Sequence, residues 1–187
     1  MKEIILQPEQ IMTTNDFPVH NEQILKIYFR ITKSNPTLLP PTPVIHKSLG
    51  LPLLEEKNEF SINHNKAINN FFEENPKIEY IMCDGSHKTT ALTLTNNPIN
   101  AVLLENDNDI KKFKEKIISG EIFSFACEDS IKEILLDKAK HFSEAEFFQT
   151  VKSKTDRMVD AKVISEYMID YYSKIVVLKN RNINIES

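Results

Sequence analysis

The chain has 187 residues, of which 41% are hydrophobic and 27% charged, with 23 Lys and Arg against 27 Asp and Glu for a formal net charge of −4. A chain of this length buries roughly 70% of the surface its unfolded form exposes, which predicts one globular domain, or one with an appendage, and excludes disorder throughout. The acidic balance argues against a general nucleic-acid binder, and apolar runs of a few residues fall far short of the roughly 20 that cross a bilayer.

Taken in chain order, residues 3–6 (Glu-Ile-Ile-Leu) predict a strand stopped by Pro8, followed by a loop through Pro18. From Asn21, Ile24, Leu25, Ile27, Tyr28 and Ile31 recur at helical spacing until Asn35-Pro36 ends the run. The prolines of Leu38–Ile45 exclude helix and lead into a strand at Thr42–His46. A helix is expected over Asn65–Glu74. The segment Glu79–Cys83 then predicts a strand, Asp84–Lys88 a tight turn, Thr89–Thr95 a helix and Ile99–Leu104 a strand. Beyond it the spacing is helical at Ile110–Ser119, Ser130–Phe142, Ala145–Lys154 and about Asp156–Ile175. The class is therefore α/β (α+β), with Asp107–Asp109 the best candidate boundary.

The opening Met1-Lys2-Glu3 carries no signal-peptide pattern. Cys83 and Cys127 form neither a disulfide framework nor a zinc pattern, so reduced thiols and a cytoplasmic protein are expected. Asparagine far outnumbers the three glycines, Gly50, Gly85 and Gly120, and covers many turns. Gly85 belongs to the one stretch that concentrates chemistry, Asp84-Gly85-Ser86-His87-Lys88-Thr89-Thr90. A helix N-terminus there exposes up to four N–H groups and about half a positive charge, which suits a phosphate. Ser86, Lys88, Thr89 and Thr90 add donors, His87 donates or moves a proton, and Asp84 holds magnesium or accepts a proton. The plainer reading is a turn and a helix cap, and no Walker spacing is present.

Other residues have bland readings that outweigh functional ones. Cys83 ends an apolar strand and reads as buried and inert, with Cys127 weaker still as a nucleophile. His20 and His46 sit in loops that would approach the turn, whereas His64 and His141 lack partners at metal-ligand spacing. Ile164, Tyr167, Met168, Tyr171 and Tyr172 form a helical stripe expected in the core or at a dimer face. Lys111, Lys112, Lys114 and Lys116 are the basic cluster where nucleic acid would bind.

The order of elements over roughly residues 3–105 resembles the ParB/sulfiredoxin superfamily. The resemblance is carried by Leu6-Gln7-Pro8, the proline-led Leu39–Ile45, the turn Asp84-Gly85-Ser86-His87-Lys88 and the strand Ile99-Asn100-Ala101-Val102. It implies a small mixed sheet with helices at 1–105, a nucleotide-binding domain like the ParB N-terminal one, with a helical region at 106–187 packed on it or forming a homodimer contact. It also implies that Gly85, Ser86, His87, Lys88, Thr89 and Thr90 grip nucleotide phosphates. Sulfiredoxins carry a cysteine where Ser86 stands here. The acidic Glu128-Asp129 and Glu144-Ala145-Glu146 weaken the partition branch, which binds CTP and DNA. The free-serine-kinase-like branch fits better. It implies a phosphotransferase using ATP or ADP with Mg²⁺ on a small hydroxyl substrate such as a free amino acid. In that branch Asp84 manages metal or proton, and Glu9 is the first choice for the base, ahead of Glu22. Two departures stand out: Lys88 replaces an arginine and loses its two-pronged grip, and residues 46–79 are an insertion expected to cover the site or meet a partner. The alternative of another class is a ParB-like DNA-binding or partition-type adaptor without transferase activity, and a nuclease ranks last.

Overall fold

The computed structural model of the chain describes residues 1–124, 128–145 and 147–183, with side chains through Leu178; Cys127 and Glu146 lie outside them. It is a mixed α/β structure. Five strands, β1 (Lys2–Leu6), β2 (Ile11–Met12), β3 (Thr42–His46), β4 (Tyr80–Met82) and β5 (Ile99–Leu103), form one sheet in the order β1-β5-β3-β4-β2. Strand β5 runs antiparallel to β1 and parallel to β3; β4 runs antiparallel to β3 and parallel to β2. Seven helices surround it among the described residues: α1 (Glu22–Ser34), α2 (Glu59–Glu74), α3 (Ser86–Leu94), α4 (Asp107–Ile118), α5 (Ile131–Ser143), α6 (Val151–Asp160) and α7 (Glu166–Ile183).

The period-2 alternation of the strands divides the core between the two faces of the sheet. Ile45, Ile81 and Val102 face one side, where Ile68 and Phe72 of α2, Ile110 and Phe113 of α4 and Ile134 and Phe142 of α5 pack on them. Val44, Met82, Ala101 and Leu103 face the other, with Leu92 of α3 and Val151 of α6. Behind α3 lies a further cluster in which Leu25 and Phe29 of α1 meet Met158, Met168 and Tyr172. Central strand β3 tolerates Pro43 because β4 pairs only with Val44, Ile45 and His46, and Pro43 needs only its carbonyl, which accepts the Cys83 N–H at 3.0 Å.

The expected strands are present, with β3 at the expected residues, and the differences lie at caps. Helix α2 starts six residues early, because Asn58 and Ser61 form a reciprocal capping box while Phe60 and Ile62 stay exposed and blur the apolar period. The helix expected from Ala145 begins only at Val151, where Thr150 caps it, bridging to Met12 of the unanticipated β2. The long helix expected over 156–175 is broken after Asp160, where Lys162 takes a left-handed φ of 53°. In the tyrosine stripe Ile164, Met168 and Tyr172 are buried against α1 and α3, so this face is core.

No helix among the described residues is long and apolar enough to cross a membrane. The C-terminal helices pack on the first 105 residues across one continuous core, in which Ile110, Phe113, Ile134 and Phe142 share a cluster with Ile45, Ile81 and Val102.

Candidate functional site

The site forms where β4 passes through Cys83, Asp84 and Gly85 into α3. Gly85 takes φ +113° as the residue before the helix, a conformation that side chains other than glycine's adopt only with strain. The first helical bond runs from Thr89 N–H to the Gly85 carbonyl at 2.9 Å, and no side chain caps the turn. The N–H groups of Ser86, His87 and Lys88 therefore point out of the helix with no acceptor inside it. They open on a cavity of about 560 Å³. Its walls come from the loop at Thr14–His20, from Asn21, Ile24 and Tyr28 at α1, and from Asp137, Lys138 and His141 of α5.

Three expected site residues meet there. Asp84 accepts the Gly85 N–H at 2.6 Å through Oδ1 and the Ser124 hydroxyl at 2.6 Å through Oδ2. His87 accepts the Asn21 N–H at 3.1 Å through Nε2, which leaves the proton on Nδ1, and burial lowers its pKa so that the ring is neutral. His141 is held the same way, its Nε2 accepting from Asn15 N–H at 2.9 Å, and burial likewise keeps it neutral. Ser86, the third, sits over a charged cluster: its hydroxyl donates to both oxygens of Asp16, at 2.8 and 2.7 Å. Lys154 of α6, only 1% exposed, donates to Asp16 at 2.5 Å and also to Ser86 Oγ. Burial would push the Asp16 carboxyl up, but Lys154, with hydrogen bonds from Thr14 and Ser86, holds it below the ordinary carboxylate range.

The side chains of other expected residues are engaged elsewhere. The Lys88 ammonium is buried and donates to the carbonyls of Pro40 at 2.8 Å and Pro41 at 3.1 Å, so it is spent on the proline-led segment; burial lowers its pKa to about 8. Thr89 donates to the Gly85 and Ser86 carbonyls, and neither it nor Thr90 lines the cavity. Glu9 lines a different cavity, with Thr93 and Asn96 at the far end of α3, roughly 10 Å of helix rise from Ser86. Glu9 is therefore not among the residues that line the Gly85 cavity. Glu22 accepts from Ser165 Oγ at 2.6 Å and is also outside.

No residue of 46–79 lines the cavity; α2 packs through Ile68 and Phe72 into the cluster around Ile45 and Ile81. The cover comes instead from Asp137, Lys138 and His141 of α5, with Phe123 and Glu128. His20 lines the cavity, whereas His46 bonds Ser48 at 2.7 Å and stacks edge-on to Tyr80. Cys83 is buried, and burial pushes its thiol up to about 12, which leaves no thiolate to react. The basic cluster of α4 is partly neutralised, Lys114 pairing with Asp129 and Lys116 with Glu121.

Sequence reasoning missed Asp16, Lys154 and His141. Lys154 stands 138 positions from Asp16, and no local spacing links such residues. The only available signal was that a charged residue on the inward face of a helix needs a buried partner. Comparison with known proteins leaves the chain alone: no family model, no curated protein and no solved structure matches it.

Proposed function

We propose that this is a nucleotide-binding phosphotransferase of ParB/sulfiredoxin-like architecture, holding ATP or ADP with Mg²⁺ at the open end of α3 and acting on a small hydroxyl substrate such as a free amino acid. The observation that carries the reading is the uncapped first turn of α3: three outward N–H groups and the positive helix end face a cavity within the roughly 300–1,000 Å³ typical of small-molecule sites. The order of elements over residues 3–105, strand, helix, proline-led strand, strand-turn-helix and strand, supports it. Phosphate contacts in this reading come from the N–H groups of Ser86, His87 and Lys88 and from His87 Nδ1; the side chains of Lys88, Thr89 and Thr90 support the turn.

Among the described residues no three His, Cys, Asp or Glu side chains cluster as metal holders. Magnesium bound with nucleotide phosphates needs only one or two carboxylates, and Asp84, at the mouth of the turn, fits that role. When bound, the ion neutralises charge on the transferring phosphates.

Calorimetric titration of ATP, ADP and CTP with Mg²⁺ tests the reading on the wild type and on His87→Glu. That variant places a carboxylate among the helix N–H groups without disturbing the helix end, which favours negative charge. Wild-type binding weakened about tenfold or more in the variant is expected. Preference for CTP alone would point to the partition branch, and no binding of any nucleotide would reduce the turn to a helix start and remove the enzyme reading.

A further inference from the structure

Ser86 Oγ is held between a base and a cation. Its hydroxyl donates to Asp16 Oδ2 at 2.7 Å and receives a hydrogen bond from the Lys154 ammonium, while Thr14 Oγ1 donates to Asp16 Oδ1 at 2.7 Å. Asp16 and Lys154 are 7% and 1% exposed, yet Ser86 and Asp16 both line the cavity, and Ser86 is the first residue of α3, beside the outward N–H groups. A buried ion pair adds little net stability over apolar side chains of the same volume. A hydroxyl fixed against a carboxylate, with a cation on the same oxygen, is how a nucleophile is prepared.

We propose that Ser86 is the first acceptor of the phosphoryl group, becoming phosphoserine at the expense of a nucleoside triphosphate, with Asp16 taking its proton. This rests on the nucleotide reading above and supplies a base from within the cavity, which Glu9 does not line. In the step, the bond from Ser86 Oγ to the terminal phosphorus forms as the bond from that phosphorus to its bridging oxygen breaks. The electron pair leaves with the nucleoside diphosphate, and the hydroxyl proton passes to Asp16 Oδ2. Lys154 stays protonated throughout and, once Asp16 is neutral, pairs with the new phosphate. The transferred group adds one negative charge to the cluster, at the positive N-terminal end of α3.

Phosphoryl rather than acyl transfer follows from the strength of the base. Asp16 is held below the ordinary carboxylate range by Lys154 against the opposing effect of burial, so it is a weak base. The loose transition state of phosphoryl transfer asks little deprotonation of the attacking oxygen, whereas attack on a carbonyl asks for a base that works near neutrality. The neighbouring imidazoles do not provide one, since Nε2 of His87 and of His141 each accept a backbone N–H.

The test incubates the full chain with ATP and Mg²⁺, quenches it, and reads intact mass and the modified residue by fragmentation, with calorimetric ATP binding measured in parallel. The expected result is one added phosphoryl group on Ser86 in the wild type and none in Ser86→Ala, which retains the backbone N–H of residue 86 and the Asp16–Lys154 pair. Asp16→Asn, with folding checked by thermal denaturation, should label at least about 100-fold more slowly. ATP binding without any phosphoryl group on the wild type, equal labelling of Ser86→Ala, or labelling of folded Asp16→Asn at the wild-type rate would overturn the proposal while leaving the nucleotide reading in place. Absence of ATP binding to the wild type would overturn both.

Discussion

Lys88 illustrates how one residue's surroundings redirect its chemistry. In the sequence it sits where a phosphate-binding cation belongs, but its ammonium is drawn under the proline-led segment by two carbonyls that have no strand partner there. The unfolded chain keeps the Lys88 proton up to about 10.5, whereas the folded chain releases it near 8. Between those values the unfolded state binds more protons, so this group's contribution to stability rises with pH. Cys83 and Tyr172, whose folded pKa values are pushed up to about 12, act in the opposite direction. The Lys88 effect is therefore isolated by comparison with Lys88→Met. Denaturant titrations at pH 7.5 and pH 10.5 should show the wild type gaining on the variant by on the order of 3 kcal/mol. A constant difference would mean that Lys88 is not held as a buried ammonium.

At the scale of elements, the turn into α3 is the feature on which fold and site both depend. A Cβ added to Gly85 would stand 3.2 Å from Thr42 Cγ2 and 3.3 Å from Lys88 Cε, at a φ of +113°. Gly85→Ala is expected to lose about 1–3 kcal/mol in chemical denaturation, and stability unchanged from the wild type would show that the turn relaxes without glycine. The turn was legible in the sequence because a β-prone run, Asp-Gly and a following helical segment are all local signals. Helix starts were less so. The caps at Asn58 and Thr150 lie outside the apolar periodicity, which is why α2 begins earlier and α6 later than hydrophobic spacing indicates. Strand β2 escaped notice because two residues carry no periodicity, and it exists through its pairing with β4.

Across the whole molecule, the helical half is structurally inseparable from the sheet. Phe113 and Phe142 are each 1% exposed in the cluster that contains Ile45 and Ile81, and Lys154 satisfies Asp16 from the other half of the chain. A fragment ending at residue 105 would leave that face of the sheet uncovered and the Asp16 carboxylate without its cation. It is expected to show no cooperative thermal transition by circular dichroism, and a cooperative one would establish residues 1–105 as an independent folding unit. Residues 46–79 do not cover the site, and the apolar face of α2, with Ile68 and Phe72, is taken up by the cluster around Ile45 and Ile81.

The sequence by itself determined the class, the strands β1, β3, β4 and β5, and a turn at Asp84-Gly85 into a helix, although α3 starts at Ser86 and not at the expected Thr89, because these follow from period, proline and glycine over a few neighbouring residues. It also put Asp84, Ser86 and His87 at one helix start. Only the tertiary structure decided that Lys88 turns inward, that Glu9 faces another cavity, and that Asp16 and Lys154 converge on Ser86. Those outcomes depend on which charged groups are driven together once water is excluded, and burial of a charge is satisfied by partners brought near by the fold, at whatever distance they stand along the chain.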